Sequence, residues 1–426
     1  MLRSVAVTVV VCLIGSLGCA DRGTSVPAES SKPAASAASA SPGTFGDDVA
    51  FLRAHTHVTV LTSADRQSQI AIAPDYQGRV MTSTAAGESG ASFGYLHRSG
   101  IEGGQRQPHM TVLGGEDRFW LGPEGGQYGL YFPPGAAFDT EHWQVPEPID
   151  WGGWSVVDQT DRSITFREPM AVTNYSGTRF DLRVDRTVRL LDRAAAATLL
   201  GHAPAASVRV VAYESDNRIT NTGSAPWKKD TGLVSIWILG QFRPAPHTTI
   251  VIPVAGGSTA ERGPVVNDAY FGAIPADRLR VANDTVFLRA DGRQRGKIGI
   301  PRPRVRGVAG SYDPDGHVLT IIQVTVPADT RGYVNSMWEK QVHPYGGDVI
   351  NSYNDGPLGP GQPPLGPFYE IESSSPAAAL APNASLQHVH RTIHLQGDDA
   401  DLDAIAKGVL GVSLADITAS LPVTPQ

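Results

Sequence analysis

The sequence predicts an all-β protein, a large antiparallel sandwich or barrel with a short helix near its C-terminus. Three observations carry that expectation. Glycine and proline are abundant, 46 and 32 of 426 residues, and they punctuate the chain at short intervals. Between them lie runs rich in β-branched and aromatic residues, among them 163–166, 180–190, 207–215, 233–239, 248–253, 285–288 and 318–326. Helical periodicity is scarce, so repeated strand–helix–strand units are disfavoured. The absence of a fixed-period repeat argues against a propeller or a solenoid.

The elements follow in order. A short helix is expected over 46–55, where Val49, Phe51 and Leu52 fall near one face. Alternation then predicts strands over 57–61 and 68–73, with a Pro74–Gly78 turn leading into Arg79, Val80 and Met81. Trp237, inside an apolar run, is assigned to the core. Near the end, acidic residues at 398–401 precede an apolar stripe of Leu402, Ile405, Ala406 and Val409 that stops at Gly411, the signature of a capped helix.

Charge and termini bound the function. A formal net charge of -7 excludes nucleic acid as the main partner, because phosphate binding needs a basic surface. The nearest basic feature, Arg293, Arg295, Arg302, Arg304 and Arg306, reads as a solvated face. At the N-terminus Arg3 precedes an apolar run over 5–17, shorter than the roughly 20 residues of a membrane span but suited to an export signal. The run ends Ser16-Leu17-Gly18-Cys19, similar to a bacterial lipobox. The chain has two cysteines, and Cys12 lies within the signal, so Cys19 is expected to be a lipidated anchor. Ala20 after it implies the outer membrane, with the lipid as the sole membrane contact. The expected organisation is a signal peptide over 1–18, an Ala/Ser/Pro tether over 19–44 too poor in apolar residues to fold, and one domain over 45–420.

Candidate chemistry concentrates in the last strands. Successive strand residues point to opposite faces, so Glu370 and Glu372 share one face, as do His388, His390, Thr392 and His394. Were the two strands neighbours, carboxylates and imidazoles would meet. The histidines admit three readings: metal ligands completed by Glu370, a general acid, or ordinary polar residues of a sheet face. Glu372 is either a general base or a buried hydrogen-bonded carboxylate. A Gly-rich stretch over 114–128 carries Glu116, Arg118, Trp120 and Glu124. Carboxylates and Arg suit hydroxyl groups and Trp offers a flat apolar face to a sugar ring, although turns alone would also explain the glycines. His142 with Trp143, and Trp338 with Glu339, Lys340 and His343, add polar and aromatic groups. A serine hydrolase is disfavoured, since no Gly-x-Ser-x-Gly is present.

The order of these features resembles the galactose mutarotase-like superfold of aldose 1-epimerases. The likeness rests on 70–83 with its Pro74–Gly78 turn, on 219–226 containing Asn221, Thr222 and Gly223, on 369–376, and on 380–395 with Leu380, Pro382 and Asn383. It implies a supersandwich, a saccharide or similar polyhydroxylated ligand, no cofactor, and Glu372 as the base of ring opening. It also implies a catalytic His after the Asn221 strand. This chain has none over 227–233, so an acid must come from elsewhere, with His388, His390, or Glu339 with Lys340 or His343, as candidates. The alternatives are a saccharide binder without catalysis, or a metal-dependent lyase or hydrolase using His388, His390 and Glu370.

Overall fold

The computed structural model describes residues 43–422 apart from Thr330 and Pro360; the expected signal peptide, Cys19 and most of the 19–44 tether lie outside the described residues. The described chain opens with a helix, Phe45–His55, started by a reciprocal capping box between Thr44 and Asp47. Phe45, Val49 and Leu52 bury one side of it against Ala71, Ala73 and Met81 of a three-stranded sheet made by Thr59–Thr62, Gln69–Ala73 and Arg79–Thr84.

Two large antiparallel sheets form the body. The back sheet has ten strands in the order Leu279–Ala282, Thr285–Arg289, Thr249–Pro253, Val308–Asp313, Val318–Val324, Ser385–Gln396, Arg209–Asn221, Arg179–Leu191, Ser163–Thr173 and Ser155–Gln159. The front sheet has five: Gly296–Pro301, Asp348–Asn354, Tyr369–Ser374, Ser235–Phe242 and Arg118–Gly122. The all-β antiparallel class read from the sequence is therefore the observed one. The strand Arg179–Leu191 shows why it was legible: Phe180, Leu182, Val184, Arg186, Val188 and Leu190 are buried, while the residues alternating with them are half-exposed.

Between the sheets, Ile298, Ile300, Ile350 and Ile371 of the front pack on Ile250, Ile252, Ala309 and Ile322 of the back. Full burial of each such side chain stabilises the fold by about 1.5–3 kcal/mol before entropy is counted. The far face of the back sheet is covered by two C-terminal helices, Asp399–Leu410 and Leu414–Ala419, where the sequence suggested one. Gly411, at φ 74°, ends the first, and a Ser413–Asp416 capping box starts the second only two residues later. Among the described residues no helix is long and apolar enough to cross a membrane.

The arginine cluster is not uniformly solvated. Arg304 is buried and donates to the carbonyls of Ala255, Gly257, Ser258 and Gly263, a backbone cage that sequence spacing does not reveal.

Candidate active site

The outer face of the front sheet forms the floor of a cleft of about 660 Å³. Strand register builds this floor in rows. Lys297, Tyr353, Glu370 and Gln241 stand side by side across four strands. In the next row come Asn351, Glu372, Leu239 and Arg118, and in a third Ser374, Trp237 and Trp120. Gly299 lies beside Asn351, and its missing side chain is required: a Cβ would sit 2.0 Å from Asp348 Oδ2, an atom that accepts from Tyr270 Oη at 2.6 Å and Asn267 Nδ2 at 3.1 Å. Loops supply the walls, with Met110, Trp143, Phe271 and Trp338. The indoles of Trp143 and Trp338 stack with centroids 6.0 Å apart.

Three carboxyl groups sit among these aromatics. Glu370 Oε1 accepts from Arg118 Nη2 at 3.0 Å and Gln241 Nε2 at 2.9 Å. Glu372 Oε2 accepts from the Trp237 indole at 2.9 Å and lies 3.3 Å from Lys297 Nζ. Its second oxygen, Oε1, is buried without a hydrogen-bond partner among the described residues. Glu124 accepts from the Trp143 indole at 2.9 Å. Glu124, Glu370 and Lys297 line the cleft, whereas Glu372 is wholly buried beneath it.

Electrostatics follow from the burial. Desolvation pushes the Glu370 carboxyl up to about 8; Arg118 and Lys297 oppose this and the neighbouring Glu372 charge adds to it. Burial therefore outweighs the Arg118 ion pair. Glu124 is also raised, first by burial and then by Glu372, against the pull of Lys297. Burial lowers the Lys297 ammonium, but Glu372, Glu124 and Glu370 more than offset it, so its pKa stands above the ordinary value. Glu370, its carboxyl raised by burial, thus lies two residues from Glu372, which faces the Lys297 ammonium.

The structure brings together part of the constellation expected from sequence. Glu370 and Glu372 share a face, and Arg118, Trp120, Glu124, Trp143 and Trp338 line the same cleft as Glu370. His388 and His390 are elsewhere. Their strand belongs to the back sheet, so it faces the Glu372 strand across the core and is not its neighbour. Both imidazoles meet the Ser373 hydroxyl at 2.8 Å, on the opposite face of the strand from Glu372. Burial lowers them to about 3 and about 4, and neither can serve the cleft as an acid. His394 pairs with Glu116 at 3.0 Å. Glu116 also accepts from Ser83 and Tyr213, which fixes it between the sheets and not in the cleft.

Asn221 is a structural turn residue, donating to the carbonyls of Ala225 and Leu380. His142 is exposed beside Asp139, and Glu339, Lys340 and His343 are exposed outside the cleft lining. Loop residues have no strand period to aim them, so adjacency to Trp143 and Trp338 did not transfer. Glu370 faces the cleft and the histidines the core, so they cannot share a metal; among the described residues no three His, Cys, Asp or Glu side chains form a metal-holding group.

Sequence reasoning missed Lys297, Gln241, Tyr353 and Phe271, read Trp237 as core, and read Arg295, which lines the cleft, as solvated. A signal did exist for Lys297: it stands in the apolar strand Gly296–Pro301, and a buried lysine requires a charged partner. Every residue of Ser235–Phe242 is buried, so its apolar run says nothing about which face carries Trp237.

A profile described as a family of unknown function, DUF6786, matches residues 43–421. The chain belongs to this family. Among curated proteins none matches the sequence. Among solved structures the chain is similar to a candidate aldose 1-epimerase from Escherichia coli K12, at 14% identity and a TM-score of 0.49, covering 80% of this chain and 100% of that one. It is similar also to a galactose mutarotase-like protein from Lactobacillus casei, at 11% identity over 80% of this chain and 100% of that one, with a TM-score of 0.43. A galactose mutarotase related enzyme from Lactobacillus acidophilus matches at 9% identity over 80% and 99%, with a TM-score of 0.44. The chemistry of the cleft rests on this chain's own residues.

Proposed function

We propose that the protein is carbohydrate-active: its cleft binds a saccharide ring against Trp120, Trp143, Trp237 and Trp338 and exchanges protons with it. The observation that carries this reading is the carboxyl pair at the floor of an aromatic-walled cleft: Glu370 lines it with its carboxyl pushed up by burial, and Glu372 lies beneath, 3.3 Å from Lys297 Nζ. Ring opening at an anomeric carbon needs a base for the hydroxyl proton and an acid for the ring oxygen, each worth roughly 10²–10⁴-fold. Glu370 has the proton to give. Glu372 is the base, and its unpartnered Oε1 supports that role, because a buried acceptor left unsatisfied costs about 1–3 kcal/mol and a ligand hydroxyl would remove the cost. Lys297, lining the cleft above it, holds the charge in place until the ligand arrives. Glu124, held in place by the Trp143 indole, accepts from ring hydroxyls.

We further propose that this domain is carried at a bacterial membrane surface by a lipid on Cys19. Replacing Cys19 with Ala should release the protein into the soluble fraction of the producing cell; unchanged membrane retention would contradict the anchor.

A saccharide panel followed by thermal shift, and then by anomer interconversion on each sugar that binds, tests the cleft chemistry. Wild type should interconvert anomers, while Glu370→Gln and Glu372→Gln should bind with little change in affinity and lose the catalysis. Binding without interconversion in wild type would leave a saccharide-binding protein and remove the acid–base pair. No binding at all would remove the reading.

A further inference from the structure

Two of the three cations lining the cleft have carboxyl partners: Arg118 donates to Glu370 Oε1 at 3.0 Å and Lys297 lies 3.3 Å from Glu372 Oε2. Arg295 differs. It forms no ion pair among the described residues; its Nε, like that of Arg118, is buried without an acceptor. Its guanidinium lies 3.7 Å over the Phe271 ring, so stacking fixes the plane of the fork without occupying its N–H donors. Asp355, a buried carboxylate in the same region, is taken up by the Tyr353 hydroxyl at 2.9 Å and the Gly366 amide at 2.8 Å.

Arg295 stands where the cleft opens into a second recess of about 410 Å³, lined also by Arg293, Gln294, Pro357 and Leu358. Arg118, Arg295 and Lys297 face Glu124 and Glu370 in the cleft lining, and burial pushes both of these carboxyls toward their neutral forms. A protein of net charge -7 thus presents a locally basic surface at the end of an aromatic cleft. A planar, pre-stacked guanidinium with no internal acceptor is suited to two parallel hydrogen bonds from an oxyanion.

We propose that the saccharide is anionic, with a carboxylate, sulfate or phosphate group docked on Arg295 while the ring lies against the tryptophans. This rests on the saccharide reading above and adds the substrate class to it. Calorimetric titration of the protein at low salt with matched pairs tests it: glucose against glucuronate and glucose 6-phosphate, galactose against galacturonate, N-acetylglucosamine against its 6-sulfate. At least one anionic member should bind about tenfold or more tightly than its neutral partner, the scale of a charge-assisted hydrogen bond. The member that does so distinguishes carboxylate, sulfate and phosphate. Arg295→Gln should erase the difference and leave the neutral sugar's affinity unchanged, and Arg295→Lys should keep part of it. Neutral sugars binding as well as all anionic partners would overturn the proposal while leaving the saccharide reading intact, as would an anion preference that survives Arg295→Gln or a loss shared equally by both members of a pair. If no member of any pair binds, both readings fall.

Discussion

At the scale of single residues, the cleft is governed by the cost of burying charge. Lys297 and Glu372 are both almost fully buried, and each is tolerable because of the other. Replacing one partner leaves a charge without compensation, which typically costs 3–5 kcal/mol, whereas replacing both is far milder. Lys297→Met should therefore destabilise the protein by about 3–5 kcal/mol in urea unfolding, and Lys297→Met with Glu372→Gln should recover most of it. Equal stability of the two variants would contradict the pairing. Glu370 sets the pH dependence. Its acid form is present below about 8 and lost as pH rises through that value, so turnover that uses its proton should fall on the alkaline side. In Glu370→Gln that alkaline limb should vanish together with roughly 10²–10⁴-fold of the rate.

At the scale of elements, parity was legible and partnership was not. The period-2 rule placed Glu370 with Glu372 correctly, because it depends only on the backbone. It placed His388 with His390 correctly too, yet their strand lies in the other sheet, and hydropathy does not encode which sheet a strand joins. The strand Ser235–Phe242 is buried on both faces, so its apolar run hid which face carries Trp237. Trp143, Trp338 and Glu124 were found by their chemistry; Lys297 and Gln241 come from strands that nothing in the sequence ties to Glu370. Ser373 tests the element-level account. Its hydroxyl meets both His388 and His390, and Ser373→Ala leaves buried imidazole nitrogens without that partner. The expected cost is about 1–3 kcal/mol of stability, measured by denaturant unfolding, with saccharide affinity unchanged. A loss of affinity without a loss of stability would return the histidines to the site.

At the scale of the whole molecule, the same burial that builds the core sets its acid limit. His388 and His390 are held neutral, with pKa values near 3 and 4 against 6.5 when exposed. Between those values the unfolded chain binds the additional protons. The stability they contribute is therefore present above about 6.5 and is lost as pH falls toward 4 and then 3. Glu370 acts with the opposite sign: raised from 4.5 to about 8, it contributes stability that is present below 4.5 and is lost as pH rises through 8. Unfolding free energies measured from pH 3 to 9 should show both slopes, with His388→Asn flattening the acid one. The sandwich class followed from turn chemistry and strand alternation spread over hundreds of residues, which no single error could reverse. The site depended on a handful of cross-strand pairings. The measurement that bears most directly on its chemistry is exchange of anomeric magnetisation by NMR on a sugar that binds the wild-type protein. Acceleration by wild type, abolished in both Glu370→Gln and Glu372→Gln while binding persists, is the expected result. Acceleration that survives both substitutions would contradict the assignment of acid and base to this carboxyl pair.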